Sequence, residues 1–488
     1  MTDLTYVNPP PRKRFRPWRF GAMTLGCAGA IALAACGDRP ETLSGKNADL
    51  ALATLKAAPD HGLRAERFHV QQIERLLDSP SSDGDRAEGE RELRAALVDY
   101  ARAQHGLTIP RSAFPKDWGL KPAPYDAETG LDEALRRGEL KAWLNDQSPP
   151  SAAYQALQKG YLAYLRTAAN GGWPAVAPLT LRAGAQGPQV AALRQRLAFE
   201  DASLAGTSPD APVDAALVAA VQRFQAAHGL PTSAQLDAAT VEQLNVPAAA
   251  RAAQIRASLE RLRWLPREQP ATRIEVNIAA AEMSYFRDGQ FQTRMLAAAG
   301  RPGGDETPML KSAVDAIVLN PPWNVPQEIA EQEIIPKGEA YLQAKGFAMK
   351  DGRLVQQPGP QAALGQVKFD FANPYAVYLH DTPAKAAFAS TQRTVSHGCV
   401  RLAQAVAFAK TLLANEPGWS QGRVDETLAS GRTVRVALTQ KVPVQLLYLT
   451  AFPEGGHIAF RPDVYGWDAE LLQMLDHPPA TPSRGKRA

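Results

Sequence analysis

The chain has 488 residues, 45% of them hydrophobic and 21% charged, with a formal net charge of +4. That composition is ordinary for globular protein, and the length allows about three domains at ~150 residues each. Residues 1–35 hold five basic side chains (Arg12, Lys13, Arg14, Arg16, Arg19) and one acid (Asp3), which leaves 49 basic and 49 acidic residues in the remainder. A neutral body carries no basic footprint, so nucleic acid is excluded as a partner.

The basic run RKRFRPWR (12–19) precedes an uncharged apolar segment, FGAMTLGCAGAIALAA (20–35). A positive stretch, a short apolar stretch and small residues at its end describe an export signal, too short for a membrane span. The segment closes on LAAC (33–36), which resembles a bacterial lipobox. That resemblance implies cleavage before Cys36 and acylation of its sulfur, a lipid anchor at a membrane surface in the periplasm. Gly37 follows the cysteine where an aspartate would favour inner-membrane retention, which leans to the outer membrane. Of the three cysteines, Cys27 leaves with the signal and Cys36 is acylated, so Cys399 is the one thiol of the mature chain. An unpaired thiol in an oxidising compartment is a liability unless it works.

Residues 36–50 read as a tether and 51–175 as a helical scaffold domain, interrupted by Pro- and Gly-rich stretches such as 110–125. In SAAYQALQKGYLAYLR (151–166), Tyr154, Leu157, Tyr161 and Tyr164 recur at helical spacing and predict an apolar face. No chemistry is visible in this region. From 179 to 247 three short helices are expected, with Asp214 and Asp237 placed as caps and His228-Gly229 as a stop. The elements LRAGAQGPQVAALRQRL (181–197), DAALVAAVQRFQAAHGL (214–230) and DAATVEQLN (237–245) resemble a three-helix peptidoglycan-binding domain, although TSA (232–234) lacks the glycine usual before Gln235.

After a linking helix (249–263) the period changes from 3.6 to 2. RIEVN (273–277) reads as a strand, and Asp288-Gly289 between two β-type runs signals a hairpin. Further strand candidates lie at 316–320, 367–371, 376–380, 433–438 and 442–449, with a helix over 403–414. The fold class expected is therefore multidomain α+β: a mostly β catalytic domain at 270–455 with a helical insertion at 327–366, and a C-terminal extension at 456–488. An insertion of this size is expected to act as a lid.

The stretch TVSHGCVRL (394–402) concentrates the chemistry. A thiol acts as a nucleophile only as thiolate and needs a neighbouring base or positive field. His397, two residues before Cys399, and His380, at a predicted strand end, are both candidates, and the sequence alone does not choose between them. Gly398 suits a tight turn that gathers the Gly398 and Cys399 amides toward an oxyanion. Arg401 adds charge able to favour the thiolate or to hold a substrate carboxylate. One cysteine and two histidines at this spacing match no usual zinc ligand set, so no metal or other cofactor is expected.

HDTP (380–383), twelve intervening residues and SHGCVR (396–401) resemble the catalytic signature of the L,D-transpeptidases, cysteine enzymes of bacterial peptidoglycan. NPPWNVP (320–326), PGPQAALGQVKFDF (358–371), VYLHDTP (377–383) and VYGWD (464–468) resemble the large Gram-negative subfamily with a helical scaffold and an internal peptidoglycan-binding domain. The resemblance implies Cys399 as nucleophile and His380 as general base, with His397 and Gly398 shaping the turn and oxyanion site. It further implies Ser396, Arg401 and Tyr378 in support, Asn320 and Trp323 near substrate, and 327–366 as a capping subdomain. The implied reaction is attack on a tetrapeptide stem, release of D-Ala and transfer of the thioester to a second stem, giving a 3→3 cross-link. Its partners would be peptidoglycan stem peptides, a membrane through the lipid anchor, and cell-wall synthesis enzymes. Two alternatives stay open: transfer to water or to a lipoprotein lysine, and a non-catalytic wall-binding lipoprotein.

Overall fold

A computed structural model describes residues 42–479. The expected export signal and Cys36 lie outside the described residues, as do residues 480–488. Residues 42–50, expected as tether, are folded: Leu43 is buried, and the helix Lys46–Lys56 buries Ala48, Ala51, Leu52 and Leu55. Their apolar spacing gives them a core to enter, which a tether would not have. The helices Val70–Asp78, Asp83–Gln104, Ala127–Arg137 and Leu140–Asn145 complete that first cluster. Ser82 and Asp126 cap two of them by accepting from Asp85 N and Thr129 N.

The helix Ala152–Ala169 does turn Tyr154, Leu157, Tyr161 and Tyr164 inward, against the helix Ala248–Arg263. That second helix is the strut of the molecule, and it buries charges that a pattern of polar residues would leave in water. Glu260, Arg261 and Arg263 are all shielded from solvent. Each is compensated: Arg263 pairs with Glu260 at 2.8 Å, Trp264 Nε1 donates to Glu260 at 3.1 Å, and Arg261 binds Asp468.

The three-helix unit consists of Pro188–Ala198, Ala215–Ala227 and Ala238–Asn245. Asp214 accepts from Leu217 N at 2.8 Å and Asp237 from Thr240 N at 2.7 Å, the expected caps. Ala234, at the position where a glycine is usual, adopts φ 56°, a left-handed conformation costly for a residue with a Cβ. A buried hub fixes this unit to the rest. Glu200 accepts from Arg196 (2.8 Å), from Tyr164 of the scaffold helix (3.0 Å) and from His228 (2.9 Å). Although burial opposes it, Arg196 and His228 hold Glu200 ionised.

The catalytic region is built on β1 (Arg273–Asn277), β2 (Glu282–Arg287), β3 (Gln290–Gly300), β4 (Leu310–Leu319), β5 (Trp323–Asn324), β6 (Phe347–Lys350), β7 (Arg353–Gln356), β8 (Val367–Phe371), β9 (Leu379–His380), β10 (Thr394–Ser396), β11 (Val400–Leu402), β12 (Val434–Leu447), β13 (Ala451–Glu454) and β14 (His457–Phe460). Nine of these form one sheet, ordered β10-β3-β11-β9-β8-β4-β12-β1-β2, and a further pairing of β2 with β3 closes it on itself. Asp288 and Gly289 both take positive φ (50° and 78°), the type I′ geometry that matches the twist of a two-residue hairpin. The two strands expected at 433–449 are one strand with an irregularity between Ala437 and Val442. The helix Ala405–Leu413 fills the core through Phe408, which meets Tyr285 and Phe369 at ring distances of 5.3 Å.

Two segments are more central than the sequence suggests. The loop around Trp118 enters the catalytic core: Leu120 N donates to Met309 O at 2.9 Å, and Trp118 packs on Trp264 and Trp467. The expected C-terminal extension is likewise integral, because β14 packs on the scaffold helix and the helix Trp467–Asp476 buries Trp467, Leu471 and Leu475.

Candidate active site

β9 and β11 run parallel, with Leu379 opposite Val400 and His380 opposite Arg401. Leu379 and Val400 point into the core and are fully buried. Alternation along each strand therefore sends Tyr378, His380, Cys399 and Arg401 to the other face together. Lys368 on β8 stands opposite His380 and joins the same row, since its neighbours Val367 and Phe369 point into the core. A hydrogen bond from Val400 N to Tyr378 O (3.0 Å) locks this register.

Burial pushes the Cys399 thiol above its ordinary pKa, against the backbone amide and hydroxyl of Tyr378 and the charges of Lys368 and Arg401. Burial, and then Arg401, push His380 down to about 3. Its Nδ1 lies 2.5 Å from Asp381 O, so the neutral ring donates there and leaves Nε2 with the lone pair. Burial and the neighbouring thiol raise the Tyr378 phenol, which keeps its proton. The resting pair is thus neutral thiol and neutral imidazole.

The motif turn is held from three sides. Ser396 Oγ donates to Cys399 O at 2.6 Å and accepts from Gly398 N at 3.2 Å. Gly398 takes φ 102°, open to glycine and strained for other residues. Thr307, a residue with no signal in the sequence, donates from Oγ1 to Gly398 O at 2.7 Å and accepts from Gly300 N at 2.8 Å. Tyr465, from the VYGWD segment, donates to Gly300 O at 2.5 Å and accepts from Thr307 N at 3.3 Å.

Three expectations need correction. The Gly398 amide is spent on Ser396, so it does not stand free for an oxyanion; the Cys399 amide has no hydrogen-bond partner among the described residues. His397 does not shape the turn with its side chain. It reaches Glu333 in the insertion at 2.7 Å, and Arg301 meets the same carboxylate at 3.1 Å, so the insertion is tied to the motif. Asn320 is a structural clamp: its amide donates to Thr427 O (2.9 Å), Leu428 O (3.3 Å) and Arg432 O (3.1 Å), and its backbone is left-handed at φ 49°. A side chain so committed has no donor to offer a substrate.

Burial raises the Tyr378 phenol, and the Trp323 indole acts against it as a smaller influence. The insertion that follows Trp323 is only half helical. Short helical turns over 327–344 pack against a three-stranded sheet, β5-β7-β6, around Val325, Ala330, Ile334, Phe347 and Leu354. The strand half escapes a helical reading because each strand has four residues or fewer.

Comparison with known proteins matches residues 271–436 to the L,D-transpeptidase catalytic domain, 40–160 to a scaffold domain and 186–244 to a peptidoglycan-binding domain. A Haemophilus influenzae protein named "Putative L,D-transpeptidase" is 32% identical over 221 residues, 41% of this chain and 45% of its own length, so the match spans less than half of that relative. Among solved structures, an L,D-transpeptidase from Mycobacterium smegmatis is 16% identical, covering 36% of this chain and 58% of its own at a TM-score of 0.21. One from Xylanimonas cellulosilytica is 17% identical, covering 55% and 98% at a TM-score of 0.19. The domain matches fall on the segments that carry the helical scaffold, the three-helix unit and the closed sheet. Residues 271–436 thus match an L,D-transpeptidase catalytic domain, in one chain with matches to a scaffold domain and a peptidoglycan-binding domain.

Proposed function

We propose that the protein cross-links peptidoglycan stems through a thioester on Cys399. The observation that carries this reading is the shared strand face, on which Cys399, His380 and Tyr378 stand in adjacent register. In the first half, His380 Nε2 takes the thiol proton as sulfur attacks the carbonyl of the L-centre of diaminopimelate. The Cys399 amide is the donor available to the oxyanion. Collapse breaks the C–N bond, the imidazolium returns its proton to the leaving amine, and D-Ala departs. In the second half, His380 takes a proton from the side-chain amine at the D-centre of another stem as that amine attacks the thioester. The 3→3 bond forms and the thiol is regenerated. The thioester stores the energy of the original peptide bond, so no nucleotide is needed.

The neutral state of the pair supports proton transfer during attack in place of a preformed ion pair. The insertion, tied through Glu333, supports exclusion of water and hence amine over hydrolysis. We further propose that Cys36 is acylated and anchors the chain at the periplasmic face of the outer membrane, where the three-helix domain engages the wall. The test is intact-protein mass spectrometry after incubation with a carbapenem, because thiols of this family are acylated by these compounds. One adduct on the wild type and none on Cys399→Ala is expected; an unmodified wild type would favour a non-catalytic wall tether.

A further inference from the structure

Arg401 is a charge without a counter-ion. Its guanidinium is partly buried, has no hydrogen bond or ion pair with any described residue, and its Nε is shielded from water with no partner. Other buried arginines of the chain are compensated: Arg196 meets Glu200 at 2.8 Å, Arg263 meets Glu260 at 2.8 Å, and Arg251 donates to Gln243 at 2.8 Å. An unpaired buried cation is costly, and such a cost beside a nucleophile points to an anion that arrives with the substrate.

Lys368 supplies a second cation in the same row. It stands opposite His380, which stands opposite Arg401, so the two cations bracket the histidine. Its Nζ lies 4.2 Å over the Tyr378 ring and 2.8 Å from Asp370, which holds it in place. We infer that Arg401 and Lys368 form a carboxylate-binding site beside the Cys399 thiol, which seats the carboxylate on the carbon next to the reacting nitrogen.

The inference rests on the transpeptidase reading and deepens it. The leaving D-Ala carries a carboxylate on the carbon attached to the scissile nitrogen. The entering amine, at the D-centre of diaminopimelate, also has a carboxylate on its own carbon, with the same hand. One site therefore serves twice: it recognises the residue that departs and then aligns the amine that replaces it. A donor extended by one more residue has no carboxylate at that position and loses the contact, so the site also selects stem length.

The test has an arm that does not need turnover. Cys399 is alkylated with iodoacetate and, separately, with neutral iodoacetamide, and both rates are followed by intact mass on the full chain. A change in thiol pKa alters both rates alike, so their ratio reports the anion site. Arg401→Gln is expected to lower the iodoacetate-to-iodoacetamide ratio about tenfold or more, and Lys368→Gln several-fold, in line with hydrogen bonds to charged groups. An unchanged ratio in both folded variants overturns the inference, and Lys368→Gln decides alone if Arg401→Gln does not fold. The second arm compares a tetrapeptide donor with its C-terminal amide. The wild type is expected to prefer the free acid, and Arg401→Gln to lose that preference. If the alkylation ratio falls but no stem is turned over, the anion site stands and the transpeptidase reading fails. If stems are turned over with the same acid-to-amide preference in every variant, the reading stands and the site fails.

Discussion

Thr307→Val is the substitution that best separates a role in positioning the nucleophile from a role in packing. Valine keeps the volume of threonine and removes only the hydroxyl, which joins Gly300 N at 2.8 Å to Gly398 O at 2.7 Å in a fully buried position. Each buried group left without a partner costs about 1–3 kcal/mol, so the two together cost roughly 2–6 kcal/mol of stability. Part of that is recoverable if the Gly398 turn slides toward a new donor, and the slide moves Cys399. A displacement near 1 Å at the reacting group costs about 10²-fold in turnover. The expected result is a lower urea midpoint together with a fall in kcat of about that size, with KM little changed. Thr307→Ser restores the hydroxyl and should restore kcat. A destabilised Thr307→Val with full kcat per folded molecule would refute the reasoning and leave Thr307 as packing alone.

Other outcomes follow from the same geometry. His380, held down to about 3, is neutral at every ordinary pH, and burial holds Cys399 above its usual value, so kcat/KM for acylation should stay flat between about pH 5 and 8. An acid limb inflecting near 6.5 would mean that the base titrates as an ordinary histidine. Burial also pushes His61 and His228 down to about 4. The unfolded chain binds these protons near 6.5 and the folded chain does not, so stability is intact above pH 6.5 and declines as pH falls from there toward 4. Thermal midpoints at pH 7.5 and 5 should differ in that direction, and a higher midpoint at pH 5 would contradict it. Asn320→Ala removes the clamp on the 427–433 loop and should cost about 1–3 kcal/mol with KM unchanged, whereas a specific rise in KM would return Asn320 to the substrate.

What could be read from the sequence divides by range. Cys399 and His380 were legible because the motif is local on each side, and the strand alternation that brings them to one face is a period-2 pattern. The Asp214 and Asp237 caps and the Asp288-Gly289 turn were legible for the same reason: three or four consecutive residues decide them. Thr307 was not, because it reaches the catalytic turn from 91 residues away and nothing in its own neighbourhood marks it; Tyr465 lies in the VYGWD segment, but its bond to Gly300, 165 residues away, cannot be read there. The residues alone left the choice between His397 and His380 open and the family resemblance made it; the contact of His397 Nε2 with Glu333, 64 residues away, could not be read locally. Arg261 and Arg263 look like surface charges on a linking helix until partners from distant segments compensate their burial. The tether failed as a reading because a short apolar pattern gains meaning only from the helices it packs against.

Product analysis on purified cell wall tests the central claim most directly. Wild-type protein incubated with wall, followed by digestion and mass spectrometry of the muropeptides, should yield 3→3 cross-linked dimers with release of D-Ala, and Cys399→Ala and His380→Asn should yield none. Tripeptide monomers alone would assign the thioester to water, and 3→3 dimers persisting in Cys399→Ala would contradict the account.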